Sequence, residues 1–164
     1  RDSLTVAYRA KDLAEAQRVG ERMMELLDDM DALTACDPQL RLDKWLDDAS
    51  ACARTPEEAA YYRRNARTLI TTWGAQSSIR DYATRAWNGL IDTYYAPRWQ
   101  MFVDEIRACI KEGREYDQEA FFKRLTEFED RWAAEETPME YRPATDYMEL
   151  SRALYKKYFT EANQ

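Results

Sequence analysis

The sequence predicts an all-α fold, an antiparallel helical bundle of about six to seven helices. Three observations carry that expectation. The 164 residues contain only four Gly and five Pro, so tight turns are few. Ala, Leu, Glu, Arg, Lys and Met are plentiful, and these are the residues that cost least in a helix. Apolar residues recur at steps of three and four along most of the chain, and no alternating run marks a strand. Short connections then favour antiparallel neighbours. Residues 1–164 read as one helical domain, long enough to bury roughly two-thirds of its unfolded surface.

Taken in order, residues 3–35 read as one long helix or two nearly collinear ones. Leu13, Ala16, Val19, Met23, Leu27 and Met30 form its stripe, and Gly20 is where it could bend. Asp37-Pro38 opens a second helix, because Asp caps and Pro suits the first turn. That helix carries Leu42, Trp45, Leu46 and Ala49 and ends near Ala53. Thr55-Pro56-Glu57-Glu58 is a capping box for a third. Its stripe, Ala59, Tyr62, Ala66, Leu69 and Trp73, leads to Gly74 as a left-handed cap. After the loop at 75–80, Asp81 is expected to cap a central helix bearing Tyr82, Ala83, Ala86, Trp87, Leu90, Ile91, Tyr94 and Tyr95. Asp81 and Arg85 would pair one turn apart, and Gly89 suggests close approach of another backbone.

Ala96-Pro97 is expected to break that helix. Trp99, Phe102, Val103, Ile106 and Ile110 make the next stripe, which Gly113 ends. Asp117 caps a helix with Phe121, Leu125, Phe128 and Trp132. The two-proline segment 136–144 reads as a loop, a last helix carries Tyr147, Leu150, Leu154 and Tyr158, and 161–164 fray. No 34-residue period indicates a tetratricopeptide array.

Composition narrows the function. A chain 45% apolar and 34% charged is an ordinary folded protein. A net charge of −7 disfavours nucleic acid as a partner. Acidic runs such as DDMD at 28–31 read as solvated helix ends or faces. There is no His, which removes the commonest general base and metal ligand. Cys36, Cys52 and Cys109 form no C-x-x-C pair and read as small buried thiols, with a Cys36–Cys52 bridge left open. No cofactor or metal is called for, and no apolar run suits a membrane span. Hydrolase chemistry would need paired carboxylates. Asp81 and Asp92 would share a helix face but stand roughly 16 Å apart along it, too far to act together.

From Trp73 to Phe102 the chain holds seven aromatic residues, including three of its five Trp. Rings so concentrated imply a dense core or a ring-lined pocket. Residues 65–102 contain N-x-R before L-x-T-x-W-G, then I-x-D-Y-A, then G-L-x-x-x-Y-Y-x-P-R-W. This stretch resembles the C-terminal helical region of the α-N-acetylglucosaminidases, glycoside hydrolase family 89. The AQSSIR that follows Gly74's position departs from the family's Pro and apolar residue before the Asp.

The resemblance implies a larger, multidomain parent, in keeping with a chain that lacks an initiator Met. Such enzymes join a catalytic (β/α)₈-like barrel to an all-α C-terminal domain. They remove terminal α-linked N-acetylglucosamine with retention, using two glutamates on the barrel. The expected partners are therefore the barrel of the same polypeptide and a glycan ending in that sugar. The parent would be secreted, periplasmic or lysosomal. The helical domain would catalyse nothing alone and would complete one wall of the sugar pocket. By motif position Trp73, Ile79 and Tyr82 would line it, while Gly74, Asp81, Gly89, Tyr94, Tyr95, Pro97, Arg98 and Trp99 would be structural. Trp73 also fits a buried stripe, so core and pocket both stand at this point. The alternatives are a free-standing helical scaffold that binds another protein and an isolated carbohydrate-binding module.

Overall fold

The fold is described from a computed structural model over residues 2–73, 80, 81, 83–135 and 146–160. The expected C-cap Gly74, the pocket residues Ile79 and Tyr82, the loop at 136–144 and the fraying end at 161–164 lie outside the described residues. Seven α-helices are present among the described residues: α1 Asp2–Ala10, α2 Leu13–Thr34, α3 Leu42–Ala51, α4 Pro56–Ile70, α5 Ala96–Glu112, α6 Gln118–Ala133 and α7 Tyr147–Tyr155. There is no strand among them, only one parallel bridge between Arg41 and Asn88. No described helix is long and apolar enough to cross a membrane.

Local capping chemistry fixes most helix starts. The Asp12, Thr55, Asp117 and Asp146 side chains each accept from a backbone amide in the first turn of the following helix. Glu58 closes the Thr55 cap by accepting from the Arg54 amide at 2.8 Å. Gly113 ends α5 with φ 68°.

The divide between α1 and α2 is at Lys11, with φ 56°, and at the Asp12 cap. α2 runs through Gly20 without interruption. Gly20 serves a close approach: a Cβ would lie 2.4 Å from Val103 Cγ1 on α5. The helix expected from Pro38 is a single 3-10 turn, Pro38–Leu40. Arg41 is extended, with φ −123°, because residues 40–42 pair with Asn88. α3 therefore begins only at Leu42.

The largest departure is at 81–95. Residues 83–87 are irregular rather than helical, and the winding begins at Leu90. Gly89, with φ 78°, makes the turn into it. The first turn is capped from another element: Asp31 of α2 accepts from the Gly89 amide at 2.8 Å and the Asp92 amide at 3.2 Å. Its other oxygen accepts from the Asn88 amide side chain at 2.6 Å. Burial raises the Asp31 pKa against those bonds. Asp29 also has partners, in Lys157 and Tyr158 beyond α7. The 28–31 run is thus not simply a solvated face.

Nor does Pro97 break the helix. Ile91–Tyr95 is a π-turn, with the Ala96 amide bonded to the Ile91 carbonyl, and α5 continues from it. A proline inside regular α-helix collides with the carbonyl four residues back. The wider π-turn supplies the room.

Two apolar clusters result. One joins Leu42 and Leu46 of α3, Ala66 and Ile70 of α4, Leu90, Tyr94, and Trp132 and Ala133 of α6. The other joins Leu4 and Ala7 of α1, Ala16 and Val19 of α2, and Val103 and Ile106 of α5. The winding from Leu90 to Glu112 enters both. α7 has no fully buried residue. The three cysteines are free, so the Cys36–Cys52 bridge is not formed, and Cys52 is exposed rather than a buried thiol.

Two expectations follow. Gly20→Ala should cost about 1–3 kcal/mol by denaturation, despite alanine's helix preference, because Val103 must move. Adding Val103→Ala should recover part of the loss. A neutral Gly20→Ala would mean the α2–α5 contact is slack. Glu105, nearly buried on α5, is held below the usual glutamate range by Arg114, at 2.7 Å, and by Arg124. A depressed folded pKa gives stability that is present above the unfolded value and lost as pH falls below about 4. The urea midpoint should fall between about pH 6 and about pH 3, and fall less in Glu105→Gln. An equal fall in that variant would remove Glu105 from the acid response.

Candidate functional site: an aromatic corner on an ionic base

α4 ends at Ile70, three residues before Trp73. Its buried stripe is Ala66, Arg67 and Ile70, while Leu69, expected inside, is 48% exposed. The next two residues turn inward: Thr71 and Thr72 are buried. Trp73 then turns out, with φ 54° and 43% of its surface exposed. Its amide donates to the Thr68 carbonyl at 2.7 Å.

The chain returns to this corner at Arg80 and Asp81. The Asp81 amide donates to the Thr71 carbonyl at 2.7 Å. Asp81 has φ 57° and Thr84 φ 33°. Of the four non-glycine residues with positive φ among the described residues, three lie between 73 and 84. Each such residue costs on the order of 1 kcal/mol or more unless its surroundings enforce it.

The enforcement is ionic. Arg98 of α5 grips Asp81 with both guanidinium arms, at 2.9 and 2.8 Å. The same guanidinium reaches Glu129 of α6 at 3.1 Å and lies 4.6 Å over the Tyr94 ring. Arg80 bonds Glu129 and Thr126, each at 2.8 Å. Glu129 is fully buried. Burial pushes its pKa up, and Arg98 and Arg80 pull against that. Burial most strongly opposes the charge on Arg98, but the hydrogen bonds to Asp81 and the surrounding Tyr94, Asp81 and Glu129 together outweigh it and raise the pKa. The Tyr94 phenol is pushed up by burial. The network is not fully satisfied: the Tyr94 and Tyr95 hydroxyls, Arg98 Nε and Glu129 Oε1 are buried without an aligned hydrogen bond.

A third arginine braces the same region. Arg67, 2% exposed, donates to the Trp132 carbonyl at 3.1 Å and lies 4.5 Å over the Trp132 ring. Trp132 in turn donates to the Thr93 hydroxyl at 3.0 Å. The structure thus brings together Trp73, Asp81, Tyr94, Tyr95 and Arg98. Pro97 and Trp99 lie half-buried on the first turn of α5, and Gly89 sits apart at the Asp31 cap. Asp81 neither caps a helix nor pairs with Arg85, because no helix starts there. Asp81 and Asp92 accordingly share no helix face. Glu129, Arg80 and Arg67 were missed from sequence. Their one local signal is a charge falling on an apolar stripe, Glu129 beside Leu125, Phe128 and Trp132.

The described residues therefore define an all-α domain that presents an exposed tryptophan from a strained corner, clamped beneath by buried charges. Residues 1–157 match the family model for the α-N-acetylglucosaminidase (NAGLU) C-terminal domain. The human α-N-acetylglucosaminidase is 32% identical over 154 residues, covering 93% of this chain and 21% of the human protein. The chain belongs to this family. Two structures of a family 89 glycoside hydrolase from Clostridium perfringens share the fold, each with a TM-score of 0.84 over 99% of this chain and 19% of theirs. They are 20% and 21% identical to it. One is in complex with 2-acetamido-1,2-dideoxynojirmycin. The other, with two glutamates changed to glutamine, is in complex with its substrate GlcNAc-α-1,4-galactose. The chain thus spans about a fifth of the length of the relatives it matches.

Removing Arg98 would leave Asp81 without its partner and the fully buried Glu129 with Arg80 alone. Arg98→Ala should cost about 3–5 kcal/mol by chemical denaturation, and Arg98→Lys less, since the charge stays but the fork is lost. A loss below about 1 kcal/mol for Arg98→Ala would mean that water already reaches the pair.

Proposed function

We propose that this chain is the non-catalytic helical part of an enzyme that removes terminal α-linked N-acetylglucosamine. In this reading it packs on a catalytic barrel of the same polypeptide and completes the wall of the sugar pocket. The observation that carries the reading is Trp73. It is the outward ring of a corner whose neighbours, Thr71 and Thr72, are buried and whose backbone is held left-handed. A core tryptophan needs no such corner. An indole face can lie against the apolar side of a pyranose, and an uncharged sugar needs no charge opposite it. Ile79 and Tyr82 complete the wall by their position in the motif.

The docking face fits the same reading. Met148, Tyr155 and Phe159 stand 44%, 62% and 65% exposed on and beyond α7, the last two stacked at 5.4 Å. Exposed rings of that size suit a surface covered by the remaining four-fifths of the polypeptide. A free-standing scaffold would have its own helices over residue 73, and Trp73 is 43% exposed.

The test uses the full-length polypeptide that carries this chain. Trp73→Ala should raise KM for an aryl α-N-acetylglucosaminide by about tenfold or more, the equivalent of about 1.4 kcal/mol of lost binding. The denaturation midpoint should hardly move. An unchanged KM would take Trp73 out of the pocket. Hydrolysis by the 164-residue chain alone, abolished by changing one carboxylate, would overturn the non-catalytic role.

A further inference from the structure

The geometry points to Glu129 as a positioning residue: through Arg80, Arg98 and Asp81 it holds the Trp73 corner in its left-handed, outward pose. This rests on the proposed role of Trp73 as a pocket wall for its consequence in catalysis, though not for its structural content.

The route is continuous. Glu129 touches both arginines, Arg80 at 2.8 Å and Arg98 at 3.1 Å. Arg80 and Asp81 are adjacent in the chain, so α6 holds the first and α5 the second. Asp81 is bonded through its amide to Thr71, two residues before Trp73. The two ends of the corner are thereby tied to each other and to the helices below.

Stability alone does not account for Glu129. A buried carboxylate between two arginines is commonly no better than an apolar side chain of similar volume. Here Arg98 Nε also lacks an aligned hydrogen bond, a desolvation cost. What an apolar residue could not do is fix the direction of two guanidinium planes, and through them the backbone at 80–81.

The corner carries its own reporters, the Trp73 amide bonded to the Thr68 carbonyl and the Asp81 amide bonded to the Thr71 carbonyl. Amide hydrogen exchange of the chain should show both losing about tenfold or more in protection in Glu129→Gln, with the α5 amides of Val103 and Ile106 within about twofold of wild type. Glu129→Asp should lie between. Unchanged protection at both reporters would overturn the proposal, as would a uniform fall across all helices. Should Glu129→Gln not fold, Arg80→Gln gives the same readout, since Glu129 keeps Arg98. A smaller local loss at the Asp81 amide supports the proposal, and none overturns it. In the full-length polypeptide, Glu129→Gln should raise KM with kcat within about threefold. Loosened reporters with unaltered KM would uphold the positioning role and sink the pocket-wall reading, so the two fail separately.

Discussion

A negative charge sealed inside the protein sets the terms for everything around it. Glu129 has no exposed surface and sits on the stripe that α6 buries. An isolated carboxylate there would either protonate or expel its helix from the core. It remains because Arg98 and Arg80 converge on it. Those arginines must come from α5 and from the returning chain at 80, which brings three separate parts of the molecule to one point. Arg98 is further fixed by Asp81 and by the Tyr94 face. The position of the exposed tryptophan descends from these constraints rather than from any property of residue 73.

A half-buried carboxylate plays a comparable part elsewhere in the fold. Asp31 ends no helix of its own. It reaches from α2 to the amides at Gly89 and Asp92, whose donors have no partner within their own first turn. The start of the winding that enters both apolar clusters is therefore set by a side chain more than fifty residues earlier. Asn88 is also fastened to Leu40 and Leu42 by backbone bonds of 2.8 and 3.0 Å. Ionic and backbone contacts, not apolar packing, decide where this central element begins.

These facts explain which parts of the fold were legible. The Thr55 and Asp117 caps and the Gly113 stop are local events, complete within four residues, and a sequence displays them openly. So does the stripe Val103, Ile106, Ile110. The stretch 81–95 was opaque because its apolar residues answer to different neighbours. Ala83 and Trp87 pack against the α3–α4 cluster from an irregular segment, while Ala86 is exposed, yet together they imitate one helical face. Pro97 misled in the same way, since its acceptability depends on a π-turn that no propensity announces. Trp73 continued the arithmetic of α4 after α4 had ended. Asp31 looked like a solvated charge because its partners lie 57 to 61 residues away, and nothing near Glu129 announces its pairing with Arg80, 49 residues back. The family motif did pick out Trp73, Asp81 and Arg98, though not the carboxylate that joins them.

The π-turn at Ile91–Tyr95 has one more implication, for how this chain tolerates change in length. One turn there holds an extra residue relative to regular winding. Taking that residue out would restore an ordinary spiral and turn everything upstream by about 100° against everything downstream. Leu90 and Tyr94 would swing out of one apolar cluster while Val103 and Ile106 kept their places in the other. The turn works as a phase shifter between two interiors, and its length is the one dimension of the rod that neither interior could absorb.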